Sequence, residues 1–233
     1  MSIKKLSQIA RKLLPGWLFK YIRSIGTAIL TPILFSYRTG HFKSSLQNKP
    51  IDRNKNSIPW YSYPIVEFLM NKNFKDKIIL EWGAGHSTLW WAKHAKKVIT
   101  FESDVTWYEY IYKLCPSNVS LFLISDNIND AKEYLGKQHF DIIIVDGFSR
   151  FECSSLSIDF LAKDGCIILD NSEGFWGEEG EFPILDLFRK KEFKRIDFFG
   201  YSAGLVQPQC TSLFFHTDCF LLSGVENPKI KFA

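Results

Sequence analysis

The sequence predicts an α/β domain on a doubly wound, mainly parallel sheet, and three observations predict it. Short apolar runs alternate with helix-like stretches from Ile78 to Leu169. Each run ends in a turn that carries a carboxylate. The chain has 233 residues, 46% hydrophobic and 23% charged, with 21 Phe, 9 Tyr and 7 Trp, enough apolar volume for one packed core and a short extension. In sheets of this kind ligands bind beyond the carboxyl ends of the strands, so the strand ends are the places to read for function.

The first 42 residues read as a basic amphipathic helical extension. Ile3, Leu6, Ile9, Ala10, Leu13, Leu14, Trp17, Leu18, Tyr21, Ile22 and Ile25 recur at helical spacing, with Lys4, Lys5, Arg11, Lys12, Lys20 and Arg23 mostly between them. Pro15-Gly16 is expected to divide the segment into two helices. Residues 1–58 hold eleven Lys and Arg against one acid, Asp52, on a chain whose net charge is only +4. A basic head on an acidic body suits an anionic partner, either a membrane surface or a nucleic acid. The longest uncharged run, Ser24 to Tyr37, is too short to span a bilayer and contains Pro32. No small-x-small cleavage site for a signal peptide follows it. Two readings of residues 1–38 therefore stand together. Either the segment lies on an anionic membrane with aromatic side chains at the interface, or its apolar face packs on the body of the protein or a second copy. Residues 43–58 are polar and turn-rich and read as a linker, with folded structure resuming at Pro59 and continuing through 233.

The five cysteines, Cys115, Cys153, Cys166, Cys210 and Cys219, are scattered and never form Cys-x-x-Cys. Neither a disulfide framework nor a zinc site is expected, and a reducing cytoplasm fits best.

From Ile78 the order is regular. "IILEW", "KVITF", "VSLFLI", "DIIIV" and "GCIIL" read as strands, with "STLWWAKHA", "VTWYEYIYKLC", "INDAKEYLG" and "RFECSSLSIDFLA" as the helices between them. "FKRIDFFGYSAG" and "CTSLFFHT" read as a closing antiparallel hairpin. The first strand ends in Glu81, Trp82, Gly83, Ala84 and Gly85, where the glycines permit a tight turn and close approach of a ligand. A dinucleotide fingerprint would place a third glycine where Thr88 stands, and Glu81 would repel a pyrophosphate. A nicotinamide-dependent oxidoreductase is disfavoured on both counts. Glu81 suits a cationic ligand end, and Glu102, closing the second strand, suits two vicinal ribose hydroxyls. An adenosine carrying an ammonium and a sulfonium satisfies both: S-adenosylmethionine.

"ILEWGAGHST", "VITFESD", "SDN", "FDIIIVDG" and "GCIILDNSE" resemble, in order and spacing, the strand-end motifs of class I S-adenosylmethionine-dependent methyltransferases. The resemblance covers about Pro59 to Phe215, and looks closest to a bacterial group with a "PWYSYP" lead-in, a "GxGxST" turn and "VDGxxR". It implies the seven-stranded sheet of that class. It also implies cofactor contacts at Glu81, Gly83, Gly85, Ser87, Glu102, Ser103, Asp126 and Asp146, with Asp146 near the methyl group. Ser87 or Thr88 could instead cap the following helix, as Asp104 is expected to do for its own.

For the acceptor, "VDGF" in place of the "[DN]PP[YF]" of amino methyltransferases disfavours transfer to a nucleobase nitrogen. Asp146, Asp170 and Asn171 could converge as hard oxygen donors for Mg²⁺ or Mn²⁺, a pattern that resembles cation-dependent O-methyltransferases. The lysine usual there is absent, and only Arg150 follows, better suited to an acidic acceptor than to act as a base. Without a metal, His86 and Asp146 are the candidate bases. Glu173, Trp176 and Tyr201 are candidates to line the acceptor pocket, on a glycine-rich segment with the composition of a lid. The expected reaction is methyl transfer to oxygen of a sugar, glycan or other small hydroxylated acceptor. A regulatory nucleotide-binding module and an RNA methyltransferase gripping RNA by the basic head are the rivals, although nucleic acid is the less expected partner.

Overall fold

The computed structural model describes residues 8, 11–125, 127–174, 183–224 and 227–232. At its centre is a seven-stranded sheet of order β3-β2-β1-β4-β5-β7-β6. Strand β1 (Ile78–Trp82) lies parallel between β2 (Lys97–Glu102) and β4 (Phe140–Val145), with β3 (Val119–Leu123) outside β2 and β5 (Leu161–Leu169) outside β4. The hairpin of β6 (Lys194–Tyr201) and β7 (Pro208–Phe215) closes the sheet, β7 running antiparallel to both β5 and β6. The chain winds outward from β1 to β3, then returns to build β4 on the other side. That reversal puts the topological switch point between β1 and β4, and ligands in such sheets bind at the carboxyl ends of the strands there.

Strand periodicity sorts the core into two layers, because successive side chains point to opposite faces. Ile79, Ile142, Ile144 and Ile168 face one way, under helix α3 (Tyr63–Leu69) and helix α4 (His86–His94). Trp90 and Trp91 of α4 are buried there against Phe74, as their place on a helix beside the sheet predicts. Leu80, Trp82, Ile143, Val145, Ile167 and Leu169 face the other way, toward α7 (Arg150–Phe160) and α8 (Pro183–Lys190). Trp82 is a core residue. It stacks on Phe101 at 4.9 Å and donates its indole N–H to Ser157 Oγ at 3.0 Å. Helix α5 (Val105–Tyr112) follows β2, and the short α6 (Lys132–Leu135) precedes β4.

The amino-terminal segment departs from the sequence reading in two ways. Pro15 does interrupt the helical path, but from Gly16 one helix, α1 (Gly16–Thr39), runs unbroken for 24 residues. Pro32 sits inside it, and the continuous helix is long and apolar enough to cross a membrane, with mean hydropathy 1.3 over its best window. The expectation of a stretch too short to span counted only the uncharged run and let Pro32 end it. Lys20 and Arg23 near one end and Arg38 at the other do not stop the helix, and long basic side chains reach toward water.

The second departure is the segment 43–58. It is packed on the domain, not a free linker. Helix α2 (His41–Gln47) follows α1 directly, and Gly40, at φ +79°, makes the corner. Ser44 Oγ donates to the Ile51 carbonyl at 2.8 Å and accepts from the Ile51 amide at 3.1 Å. Ile51 bridges to Ser57, and Ile51 and Ile58 are buried. Asp52 Oδ1 accepts from the amides of Asn54 and Asn56, both at 2.8 Å. An Asx turn thus organises a stretch whose polar composition reads as unstructured.

Candidate active site

The turn after β1 is built on one glycine. Gly83 has φ +99°, and a Cβ on it would lie 2.7 Å from Gly147 Cα. Gly85 is different: its φ is −174°, and a Cβ there would meet only Ser87 Oγ, at 3.7 Å. Gly85 therefore leaves open space toward the cavity, whereas Gly83 allows two backbones to touch. Gly147, the second half of that contact, stands at a strand end that the sequence marks, but its packing against Gly83 is not legible there. The "VDG" after β4 is its only signal.

Glu81 points beneath this turn and is fully buried. Its Oε2 accepts from the Thr88 hydroxyl, and Thr88 Oγ1 in turn accepts the Gly85 amide at 2.9 Å. Thr88 thus closes the first turn of α4 and ties it to β1. Oε1 of Glu81 is shut off from solvent, with the hydroxyls of Ser87 and Thr100 nearby. Burial pushes the Glu81 carboxyl up to about 7, although the nearby hydroxyls of Ser87 and Thr88 draw it down. Ser87 is buried and lines the cavity.

Glu102 ends β2 on the opposite wall. Its Oε1 accepts the amides of Ser103 at 2.8 Å and Asp104 at 2.9 Å, and its Oε2 accepts the Ala84 amide at 3.1 Å. Oε2 keeps a lone pair toward the cavity. Asp104 is the N-cap of α5, accepting the Trp107 amide at 2.7 Å. Trp107 closes this side, its indole N–H donating to the Ala84 carbonyl at 2.6 Å. Ser103 stays half-buried beside Glu102. Asp126, expected near an adenine amino group, lies outside the described residues, as does Trp176.

At the ends of β4 and β5 a single cation organises the backbone. Arg150 Nε donates to the Gly147 carbonyl at 3.0 Å, Nη1 to the Asp170 carbonyl, and Nη2 to the Asp146 carbonyl at 3.4 Å. Its guanidinium also lies 3.5 Å from Asp146 Oδ1. Arg150→Ala should therefore cost stability first. Losing charge-assisted bonds to carbonyls is expected to lower unfolding free energy by about 2–3 kcal/mol, read as a reduced denaturant midpoint.

The donor set proposed for Mg²⁺ or Mn²⁺ does not fit a divalent cation. Asp170 is buried and already accepts from the Thr211 hydroxyl at Oδ1 and from Gln209 Nε2 at Oδ2, 3.3 Å away. Asn171 occupies the left-handed region at φ +51°, continuing into a turn closed by the Gly174 amide. The positive charge between the two aspartates is already supplied by Arg150. No group of three or more His, Cys, Asp or Glu among the described residues is placed to hold a metal. Burial raises Asp146 to about 6, with Arg150 opposing, and burial and then Asp146 drive Asp170 well above the usual carboxylate range.

His86 opens α4 and is buried, with Nδ1 3.0 Å from Ser57 Oγ and Nε2 without a partner among the described residues. Burial, followed by the charge of Lys49, lowers its pKa, so the ring is neutral near pH 7. The neighbouring wall comes from residues the sequence reading missed: Pro50, Trp60, Leu205 and Gln209. Gln209 Nε2 donates to the Trp60 carbonyl at 2.9 Å, and Trp60 Nε1 donates to the Ala203 carbonyl at 2.7 Å. Trp60 falls in the "PWYSYP" lead-in, which was the available signal. The residues expected on this wall stand elsewhere. Glu173 Oε2 is held by the Cys210 amide at 2.7 Å, and Tyr201 packs on Phe35 of α1.

The glycine turn, His86, Ser87, Glu102, Asp146 and Asp170 line one cavity of about 480 Å³ at the carboxyl ends of β1, β2, β4 and β5. Two larger hollows, about 940 and 740 Å³, lie beside α8 and beside residues 220–230, and neither gathers the strand-end carboxylates. The cavity sits on a seven-stranded sheet with β7 antiparallel. The fold is the class I methyltransferase fold. The crystal structure of precorrin-6y C5,15-methyltransferase from Geobacter metallireducens matches with TM-score 0.51 and 11% identity, over 66% of this chain and 87% of that one. TYW2 of M. jannaschii, in complex with AdoMet, matches with TM-score 0.43 and 20% identity over 71% and 79%. The tRNA (m1A58) methyltransferase TrmI from Aquifex aeolicus gives 0.46 and 16% over 69% and 70%. At such identities the likeness is one of fold. No family model and no curated protein matches the chain.

Proposed function

We propose that this protein is an S-adenosylmethionine-dependent methyltransferase that methylates an oxygen of a sugar, glycan or other small hydroxylated acceptor. One observation carries the reading: Glu102 closes β2 in a cavity walled by the glycine turn, and a second carboxyl, Glu81, is fully buried just behind that turn. Burying a carboxylate is costly, and a cationic ligand end nearby would offset that cost. The open space before Gly85 admits that ligand close to the backbone. Glu102 Oε2 would accept from the ribose, and Ser103 would lie beside the base.

S-adenosylmethionine, when bound, supplies an electrophilic methyl group on a positive sulfur. The chain's own task is to hold the acceptor oxygen in line and take its proton. In the tautomer that donates Nδ1–H to Ser57, His86 keeps a lone pair on Nε2, and Asp146 is the second proton acceptor within the same cavity. Trp60 and Gln209 give the acceptor wall an apolar face beside an amide, a pairing that suits a polyhydroxylated ring. No step is assigned to a metal.

The test is calorimetric titration of the purified full chain with S-adenosylmethionine. Saturable binding is expected, and Glu102→Ala should weaken it by about tenfold or more, from one lost hydrogen bond to a charged group. Because Glu102 also holds three backbone amides, Glu102→Gln, which keeps one acceptor oxygen, is titrated beside it, with a thermal melt of each variant. Added Mg²⁺ should leave the isotherm unchanged. A folded wild type that binds no S-adenosylmethionine overturns the reading.

A further inference from the structure

The amino-terminal helix leaves the domain with most of its surface uncovered. Only its last turns touch the body, through Phe35 on Tyr63 and through buried Thr39. Trp17, Tyr21, Ile22, Ile25, Ile29, Leu30 and Ile33 are all exposed. At 100° per residue Lys20, Arg23, Ser24, Thr27, Thr31 and Arg38 fall within one arc of about 100°, which also takes in Leu34, and the other large apolar residues lie outside it. The helix therefore has a more polar and a more apolar side.

Exposed apolar side chains do not stop with the helix. Phe42 and Leu46, one turn apart on α2, are exposed, Leu46 by 74%. Beside them lies the β6–β7 turn: a Cβ on Gly204 would stand 2.6 Å from the Ser45 amide nitrogen, and the Gly204 amide donates to His41 Nδ1 at 3.2 Å. Leu205 and Val206 follow Gly204 and are exposed, Val206 by 86%. Leu205 is also a wall of the cavity, together with Pro50 from the loop after α2. Exposed apolar side chains thus occur on the helix, on α2 and on the turn that walls the cavity.

We infer that α1, α2 and the β6–β7 turn form a docking face for an anionic bilayer, with α1 lying in the interface and the cavity mouth held at the membrane surface. Charge argues for the occupant: residues 1–51 contain no acid and nine Lys or Arg. A helix with an extended apolar arc and a basic polar stripe binds anionic interfaces by burying the arc and leaving the stripe at the head groups. The inference deepens the methyl-transfer reading by bringing a bilayer to its acceptor side, and it rests on that reading only for its use.

The experiment uses the full chain with vesicles of mixed phosphatidylglycerol and phosphatidylcholine, and with phosphatidylcholine alone. Cosedimentation is expected with the anionic vesicles and not with the neutral ones. Ile25→Asp with Ile29→Asp should reduce partitioning by on the order of a hundredfold, from two apolar burials lost. An environment-sensitive fluorophore on Val206→Cys should shift to the blue when vesicles are added. The same label on Lys163→Cys, at the start of β5, should not. Binding with an unshifted Val206 label would mean a tether without a docked rim and overturns the inference. So would a stable dimer that shields the helix in the absence of lipid, or salt-sensitive RNA binding in place of vesicle binding. Since S-adenosylmethionine titration needs no lipid, failure here and failure of the methyltransferase reading give separate results.

Discussion

Glu81→Gln is expected to abolish S-adenosylmethionine binding while making the ligand-free protein more stable at pH 8. Both effects come from the same buried carboxyl, raised to about 7 by desolvation. In the unfolded chain this group ionises near 4.5. Between those values the unfolded state loses its proton and the folded state does not, so the wild type loses stability as pH rises through the window. Above 7 the full penalty is present, roughly 3 kcal/mol at 1.4 kcal/mol per pH unit. Gln can still accept from Thr88 and carries no charge to desolvate, so its denaturant midpoint should be nearly flat from pH 5 to 8 as far as this site is concerned. Binding runs the other way. An ammonium or sulfonium favours the ionised carboxylate, so wild-type affinity should rise with pH through about 7 and fall about tenfold per unit below it. A Glu81→Gln variant that binds as tightly as wild type, or a wild type whose affinity is constant from pH 5 to 8, would remove Glu81 from the cofactor site.

How much of this was legible follows from the range over which each signal acts. The central strands of the parallel sheet were legible because they are buried on both faces and read as unbroken apolar runs, IILEW or DIIIV, between helical stretches. Their carboxyl-end residues could be named because a parallel sheet puts all those ends on one side. Glu102, Ser87, His86 and Asp146 line one cavity, while Glu81 is fully buried and is not part of its wall. The other wall was not legible, since Trp60 and Gln209 are 149 positions apart and come together only when the hairpin folds back over β5. Glu173 and Tyr201 were misplaced for the same reason: local composition suggested a pocket, and long-range pairing gave them other partners. Asp146, Asp170 and Asn171 do line one cavity, but Asp170 is engaged by Thr211 and Gln209, and the Arg150 guanidinium lies beside Asp146. Segment 43–58 looked like a linker because its order comes from turns centred on Ser44 and Asp52, and a polar turn has the composition of a loop.

The glycines at the turn separate folding from binding most sharply. Gly83→Ala should fold poorly. Its φ of +99° is costly for any side chain, and the new methyl would press on Gly147 Cα at 2.7 Å, backbone against backbone, with no flexible atom to yield. Left-handed strain of about 1–2 kcal/mol and overpacking of about 1–3 kcal/mol give an expected loss of roughly 3 kcal/mol or more. Gly147→Ala meets the same wall from the other side, 2.8 Å from Gly83 Cα, and should lose a comparable amount. Gly85→Ala is the contrast. Its backbone is extended, its Cβ would touch only Ser87 Oγ at ordinary contact distance, and its thermal midpoint should stay within about 0.5 kcal/mol of wild type. Its methyl would instead stand in the space a ligand must enter, so S-adenosylmethionine binding should weaken by about tenfold or more at unchanged stability. Melting curves and titrations of the three variants decide the assignment together. Gly85→Ala binding like wild type would place the ligand away from this turn. A stable Gly83→Ala would mean that β1 and β4 do not approach as closely as the two glycines imply. The Gly-x-Gly after β1 thus has two separable tasks: Gly83 lets the strand ends close on each other, and Gly85 keeps open the space that closure creates.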